Sequence, residues 1–219
     1  MSVHLQREID KLKKAIVLLG AAVEKNLAAA MTAVINRDPA LARQIHESDD
    51  AIDRREVDIE EECLKVLALH QPVAIDLRFI VAVLKINSDL ERIGDEAVNI
   101  ASRALRIQSA PMQEPGIDLA GLSGRVQAMV KKSLDAPVNM NPAGAEEVRR
   151  SDDDIDDTVR RHFDKTKEEI GRHPERVDAL IEYLRIGRHL ERIADHATNI
   201  AEDVIYMTRG EIVRHHPES

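Results

Sequence analysis

Apolar residues recur along this chain at intervals of three and four. In the segment Leu77, Phe79/Ile80, Val83/Leu84, Ile86, Leu90, Ile93, Ala97, Ile100 and Ala104 they form one continuous helical stripe, the pattern of an amphipathic helix and not the alternation of a strand. No segment reads convincingly as a strand. Asp38-Pro39 and Asn141-Pro142 each combine an N-cap residue with proline at the first helical position, where the missing N–H costs nothing. A second helix of each unit is expected to start there. Gln71-Pro72 in the first unit, and Gly171 with His173-Pro174 in the second, are stop signals before a third helix. Helices of about 30 residues are roughly 45 Å long at 1.5 Å per residue. Three such helices bury their stripes by packing antiparallel against one another.

The pattern repeats. Asp89-Leu-Glu-Arg-Ile-Gly-Asp-Glu-Ala-Val-Asn-Ile-Ala101 is echoed by His189-Leu-Glu-Arg-Ile-Ala-Asp-His-Ala-Thr-Asn-Ile-Ala201, an offset of 100 residues from Glu91 to Glu191. Upstream, Ser48-Asp-Asp-Ala-Ile-Asp53 matches Ser151-Asp-Asp-Asp-Ile-Asp156 at an offset of 103, which the pairs Asn36/Asn139, Pro39/Pro142 and His70/His173 share. The three-residue slip therefore falls in the connection after His70. Duplication predicts an all-α fold of two tandem, similar three-helix bundles with six long helices. The expected boundaries are a first unit at 1–107, a linker at 108–117 and a second unit at 118–219, because the prolines and glycine of Ile107-Gln-Ser-Ala-Pro-Met-Gln-Glu-Pro-Gly116 cannot continue a helix.

Composition narrows the function. The chain has 219 residues with 43% hydrophobic and 32% charged, enough for a globular core. Its four aromatics, Phe79, Phe163, Tyr183 and Tyr206, come with no Trp, which argues against a base-stacking nucleic-acid platform. A formal charge of −9 opposes binding to phosphate backbones and anionic membranes and favours metal ions or basic protein patches. The lone Cys63 has no intrachain disulfide partner, so a reducing, cytoplasmic compartment is the default expectation. No uninterrupted apolar run approaches the roughly 20 residues that span a bilayer. Lys11, Lys13 and Lys14 before Ala15–Val23 imitate a signal peptide, but Glu8 and Asp10 spoil its basic region, and the segment reads as a core helix.

The candidate chemistry lies in carboxylates. Glu91 and Asp95 are four apart, one helical turn, and Glu191 and Asp195 repeat the arrangement. The second helices add Asp49/Asp53 and Asp152/Asp156. At 100° per residue Asp49, Asp53, Glu56 and Glu60 share the arc of Val57, Leu64 and Leu67, which predicts that these acids face the bundle. Like charges one turn apart repel by roughly 0.2–0.5 kcal/mol per pair in water, and more when desolvated. A cation bridging two helices offsets this, and an all-oxygen donor set suits hard ions such as Mg, Mn, Ca or Fe. A single ExxxD on a helix is ordinarily solvated charge, and Arg92 and Arg192, adjacent to Glu91 and Glu191, point elsewhere. Two such pairs per unit, in register in both copies, favour the metal reading. Asn99 and Asn199, one turn beyond Asp95 and Asp195, are candidates for an additional ligand or an outer hydrogen bond. Val159 and Phe163 stand in the second copy where the first has Glu56 and Glu60, so the second site is expected to hold less charge and fewer metals.

Other chemistry is weakly signalled. None of the nine histidines has a Glu three residues before it, which disfavours di-iron chemistry of the ferritin type. His46 and His196 sit near the acids but read as packing or surface histidines, and His215-His216 as solvated. The chain lacks G-x-x-x-x-G-K-[ST], G-x-G-x-x-G and H-E-x-x-H, and Gly121-Leu-Ser-Gly124 lacks the last glycine of G-x-S-x-G. Cys63 falls on an apolar helix side and reads as core. No catalytic constellation emerges. A plain structural bundle without metal, and a metal-dependent hydrolase or metal store using the same acids, are the alternatives.

Leu90-Glu-Arg-Ile-Gly-Asp95 with Asn99-Ile-Ala, its duplicate Leu190-Glu-Arg-Ile-Ala-Asp195 with Asn199-Ile-Ala, and His70-Gln-Pro-Val-Ala-Ile-Asp-Leu-Arg78 resemble the PhoU family of bacterial phosphate-signalling proteins over nearly the whole chain. The resemblance implies two three-helix bundles carrying metal on E(D)xxxD motifs, here Asp49, Asp53, Glu91, Asp95, Asp152, Asp156, Glu191 and Asp195, with Fe, Mn, Mg or Zn as the ion. It implies a cytoplasmic, non-enzymatic negative regulator of the phosphate regulon that links the phosphate ABC transporter ATPase to the sensor histidine kinase. A homo-oligomer, specifically a dimer, with no nucleic acid and only indirect membrane contact completes that expectation. The second copy's counterpart of the segment containing Asp76 and Arg78 is degenerate, which restricts any role of those two residues to the first copy.

Overall fold

The computed structural model describes residues 3–107 and 118–213, and the linker expected at 108–117 lies outside them, as do His215 and His216. The described residues form six α-helices and no strand: α1 (Val3–Asn36), α2 (Pro39–His70), α3 (Ala74–Ile107), α4 (Leu119–Asn139), α5 (Pro142–Arg172) and α6 (Val177–Arg209). Asp38 caps α2 by accepting from the Ala40 and Leu41 N–H groups, and Asn141 caps α5 by accepting from Gly144 N–H, each followed by proline. Both starts lie where the cap-and-proline signal puts them. Gly171 does not stop α5, which continues through Arg172 to a cap at His173. The connections between the second and third helices of each copy differ: the first passes through Gln71–Val73 into α3, and these three residues have no counterpart in the second, where Pro174–Arg176, at the positions of Ala74–Asp76, form a 3-10 turn before α6.

Within each copy the three helices pack on one another, and short connections make sequential neighbours antiparallel. The two copies also pack together, α3 along α6 and α1 against α4, so one continuous aliphatic core runs through both. Leu90, Ile93 and Ile100 of α3 and their counterparts Leu190, Ile193 and Ile200 of α6 are fully buried in it. α1 is long and apolar enough by length and composition to cross a membrane, with a window of mean hydropathy 1.4. Counting uninterrupted apolar runs misses this, because Glu24 and Lys25 break the run. Its apolar stripe, from Leu5 and Ile9 through Leu19 and Val23 to Met31 and Val34, is instead buried in the bundle.

Between α3 and α6 lies a polar seam that sequence reasoning passes over. His196 Nδ1 stands 2.8 Å from Asp89 Oδ1, and His189 Nδ1 stands 2.6 Å from Glu96 Oε2. These are the same contact twice. Asp89 and His189 occupy equivalent positions, as do Glu96 and His196, so exchanging the copies exchanges the two pairs. Lys85 with Asp203 at 3.2 Å and Arg103 with Glu182 at 3.3 Å extend the seam to either side. Identical copies would set acid against acid here. The difference between the copies, acid in one and histidine in the other, makes the seam complementary.

Candidate functional site

The eight acids fall into two groups, Asp49, Asp53, Glu91 and Asp95 along the α2/α3 line and Asp152, Asp156, Glu191 and Asp195 along the α5/α6 line. The helix stripe fixes their level: Ile52 and Ile93, beside them in sequence, are buried, which leaves the acids at the rim of the core. Asp49 is half-buried, Asp53 and Asp95 are exposed, and Glu91 is intermediate. The expectation that the α2 acids face the bundle with Val57, Leu64 and Leu67 holds for Asp49, Glu56 and Leu67, which are partly buried, and fails for Asp53 and Glu60 and for Val57 and Leu64. Those two side chains are 50% and 53% exposed, and α2 buries Ile45, Ile52, Ile59, Cys63 and Val66 instead. The α2 surface is mixed, and Val57 and Leu64 lie beyond the edge of a stripe centred on Ile52–Ile59.

Gly94 lets the two helices approach at the first group. A Cβ there would stand 3.3 Å from Ile52 Cγ2 and 3.8 Å from Asp49 Oδ1. The equivalent residue of the second copy is Ala194.

The electrostatics single out one position in each group. Oδ1 of Asp49 and Oδ1 of Asp152, equivalent residues, are both buried without a hydrogen-bond partner. Burial, followed by repulsion from Asp53 and Asp95, pushes the Asp49 carboxyl up to about 6. Burial, followed by repulsion from Asp195 and Asp156, does the same to Asp152, also to about 6. Glu91, Asp95, Asp156 and Asp195 are raised as well, each chiefly by burial and then by the other carboxylates of its own group. Among the described residues no three His, Cys, Asp or Glu side chains stand converged as a ready ligand set. What the fold supplies is two sets of mutually repelling oxygen donors, each with a buried, unpartnered oxygen. That donor set fits a hard divalent or trivalent cation and offers nothing to a soft one.

The two groups are not alike. In the first, Asn87 donates to the Glu56 carbonyl at 2.8 Å and to Glu56 Oε1 at 3.2 Å, so Glu56 is tied to α3, and Glu60 is exposed. The second has Gly187, Val159 and Phe163 at these positions, and Arg188 grips Glu191 at 2.7 and 2.9 Å. Ser88 stands where Arg188 does. Negative charge is therefore concentrated at the first group.

Asn99 and Asn199 are not aimed at these acids. Asn99 donates to Glu96 at 3.5 Å and Asn199 to Asp89 at 3.3 Å, both seam carboxylates. The offset of four from Asp95 and Asp195 put them one turn on, but the helix turns them toward the neighbouring copy. His196 belongs to the seam too, and His46 lies 3.0 Å from Ser102 Oγ. That Ser–His contact joins two helix interiors whose backbone N–H groups are committed to helical hydrogen bonds, so it lacks an oxyanion donor. Cys63 is fully buried, and burial, then Glu60 and Glu62, push its thiol up to about 12. Alkylation of the folded protein by iodoacetamide, followed by mass spectrometry, is expected to run at least about a hundredfold slower than in denaturant.

The PhoU domain profile matches residues 16–104 and again residues 119–204, one match on each bundle. The chain belongs to the PhoU family. It is 36% identical over 216 residues to the Pseudomonas aeruginosa phosphate-specific transport system accessory protein PhoU homolog, covering 98% of this chain and 89% of that protein. With the Aquifex aeolicus PhoU homolog of the same description it shares 36% over 211 residues, 96% of each. The crystal structure of PhoU from Pseudomonas aeruginosa superposes with a TM-score of 0.91 at 35% identity, covering 94% of this chain and 99% of that one. The structure of the phosphate transport system regulatory protein PhoU from Streptococcus pneumoniae gives 0.86 at 30% identity, over 95% and 99%. Both halves of this PhoU chain thus lie within the family, and the carboxylate groups occur once in each half.

Proposed function

We propose that this PhoU chain is an accessory protein of a phosphate-specific transport system that acts without enzymatic turnover, as a negative regulator of the phosphate regulon. The observation that carries the reading is end-to-end similarity to relatives named as accessory proteins of that system, spanning both halves of the duplicated fold. Its partners are the transporter's ATPase subunit and the regulon's sensor histidine kinase, and it works in the cytoplasm as a homodimer. Long rigid helices with a continuous core suit such a role, because they hold distant docking faces in a fixed relation. Asp49, Asp53, Glu91 and Asp95 would hold a hard cation in the first half, and Asp152, Asp156, Glu191 and Asp195 in the second. A bound cation supplies positive charge on an otherwise acidic surface. The chain's own contribution is to hold the carboxylates on facing helix turns and to keep one oxygen of Asp49 and one of Asp152 out of water.

The test is a phosphate-regulon reporter in cells lacking the chromosomal copy. Without the protein the reporter is expected to stay on in ample phosphate, and this chain is expected to switch it off, while purified protein captures the ATPase subunit and the kinase's cytoplasmic portion. Steady hydrolysis of a phosphate ester by metal-loaded protein, abolished by Glu91→Gln with Asp95→Asn, would overturn the proposal in favour of an enzyme.

A further inference from the structure

Two grooves flank the α3/α6 seam, and they are copies of each other. The first is lined by Lys85, Asp89, Arg92, Asn199, Glu202 and Asp203 together with Ser88. The second, of about 520 Å³, is lined by Arg103, Arg106, Arg185, Arg188, His189 and Arg192. Exchanging the copies maps one onto the other, so that Lys85 matches Arg185, Ser88 matches Arg188, Asp89 matches His189, Arg92 matches Arg192 and Asp203 matches Arg103. The same backbone frame therefore carries mixed charge on one side and five guanidinium groups on the other.

Those arginines are not neutralised by what surrounds them. A single carboxylate, Glu182, which is 12% exposed, takes Arg185 at 2.8 Å, Arg103 at 3.3 Å and Arg106 at 3.5 Å. Its counterpart in the other copy is Ala82. Arg192 is paired with Glu96 and Arg188 with Glu191. Arg188 and Arg192 also face acids of the second carboxylate group, Asp156 and Asp195, so the positive surplus lies at the other end of the groove, where Arg103, Arg106 and Arg185 share the one carboxylate of Glu182 in a chain whose formal charge is −9. Nε of Arg103 is buried and has no hydrogen-bond partner. The heads of Arg106 and Arg185 lie open to solvent, with side chains 59% and 49% exposed. Glu182 acts as an internal template that gathers three planar forks around one point, and planar forks bind tetrahedral oxyanions through paired N–H groups.

We infer that this groove binds a phosphate-type dianion, either free inorganic phosphate or a phosphate monoester. Arg106 and Arg185 bind the ligand's outer oxygens, and Arg103 and Glu182 fix the arrangement beneath. Arg106 and Arg185, which would hold the dianion, pair with Glu182 and with neither carboxylate group, and the site needs no cation, so its failure leaves the regulatory reading standing.

The experiment is calorimetric titration of the full chain, held in chelator so that no bound metal contributes, with inorganic phosphate in one arm and phosphoserine in the other. Saturable binding is expected in at least one arm, and the arm that binds more tightly identifies the source of the dianion. Affinity should weaken as salt is raised. Arg106→Ala with Arg185→Ala, both exposed positions whose fold is checked by circular dichroism, should weaken binding by about tenfold or more. Arg92→Ala in the twin groove should change it less than about twofold. Absence of saturable binding below about 10 mM, or equal weakening by the two kinds of variant, overturns the inference. Tighter binding of a polyglutamate peptide than of either phosphate probe also overturns it, by showing a docking face for acidic protein.

Discussion

Neutralising the first carboxylate group by Asp49→Asn, Glu91→Gln and Asp95→Asn is expected to stabilise the chelated protein at neutral pH and to abolish its response to added cation. Asp49 and Asp152 have folded pKa values near 6 against an ordinary 3.8. Between those values the folded chain binds more protons than the unfolded one, so stability is greatest below the ordinary value and falls as pH rises through the folded value. Each group costs the neutral protein about 1 kcal/mol once solvent screening of a half-exposed side chain is allowed for. A cation reverses the sign by preferring the ionised carboxylates, and at a hundredfold excess over its dissociation constant it stabilises by about 2.7 kcal/mol. Urea denaturation of wild type and variant from pH 4 to 8, with and without Mn, reads both effects. Greater stability of the wild type than of the variant in chelator would show that the fold already neutralises these acids and would remove the physical case for a metal there. Elemental analysis should show more metal lost from this variant than from Glu191→Gln with Asp195→Asn, because the second group has Val159 and Phe163 for Glu56 and Glu60 and lends Glu191 to Arg188.

Glu96→Ala is expected to destabilise the fold by about 2 kcal/mol, the scale of a partly buried charge pair losing one member. Burial alone would raise the Glu96 carboxyl, but His189 and Arg192, at 2.6 and 2.9 Å, outweigh it and hold the group below its ordinary value. A depressed carboxyl gives stability that is complete above the unfolded value of 4.5 and is lost as pH falls through the folded one. The variant should therefore lie below the wild type at neutral pH and converge on it in acid, the opposite trend to the Asp49 group. Thermal melts across pH separate the two. A cost that stays constant down to the lowest pH would assign the effect to lost packing and not to the ion pair. Glu96→Gln, which keeps the shape, should recover part of the loss at neutral pH.

The helices were readable because their signals are local. Asp38-Pro39 and Asn141-Pro142 fix two helix starts through caps that need only the next three residues. The duplication was equally plain, since Leu-Glu-Arg-Ile recurs 100 residues on, and with it the pairing of acids one helical turn apart. Cys63 is legible as a core residue from its position on the α2 stripe. The direction of the α2 acids is only partly legible in the sequence. Val57 and Leu64 are apolar but exposed, and a mixed surface does not say which apolar arc faces inward until a partner helix covers it. The partners of Asn99 and Asn199, Glu96 and Asp89, are hidden for a related reason: a turn's spacing places residues on one helix but not against a neighbour.

Periodicity and capping along a single chain are enough for the helix count, the starts of α2 and α5, the two copies and the acid pairs. How the copies meet is set by packing between helices that are distant in sequence. Packing α3 on α6 about a shared core converts Asp89, Glu96, His189 and His196 from scattered polar residues into two equivalent acid–histidine contacts. The same packing gathers arginines from positions 103 to 192 into one groove. Neither result is visible along the chain, because the residues that meet are about a hundred positions apart and their charges gain meaning only when burial removes the water that would screen them.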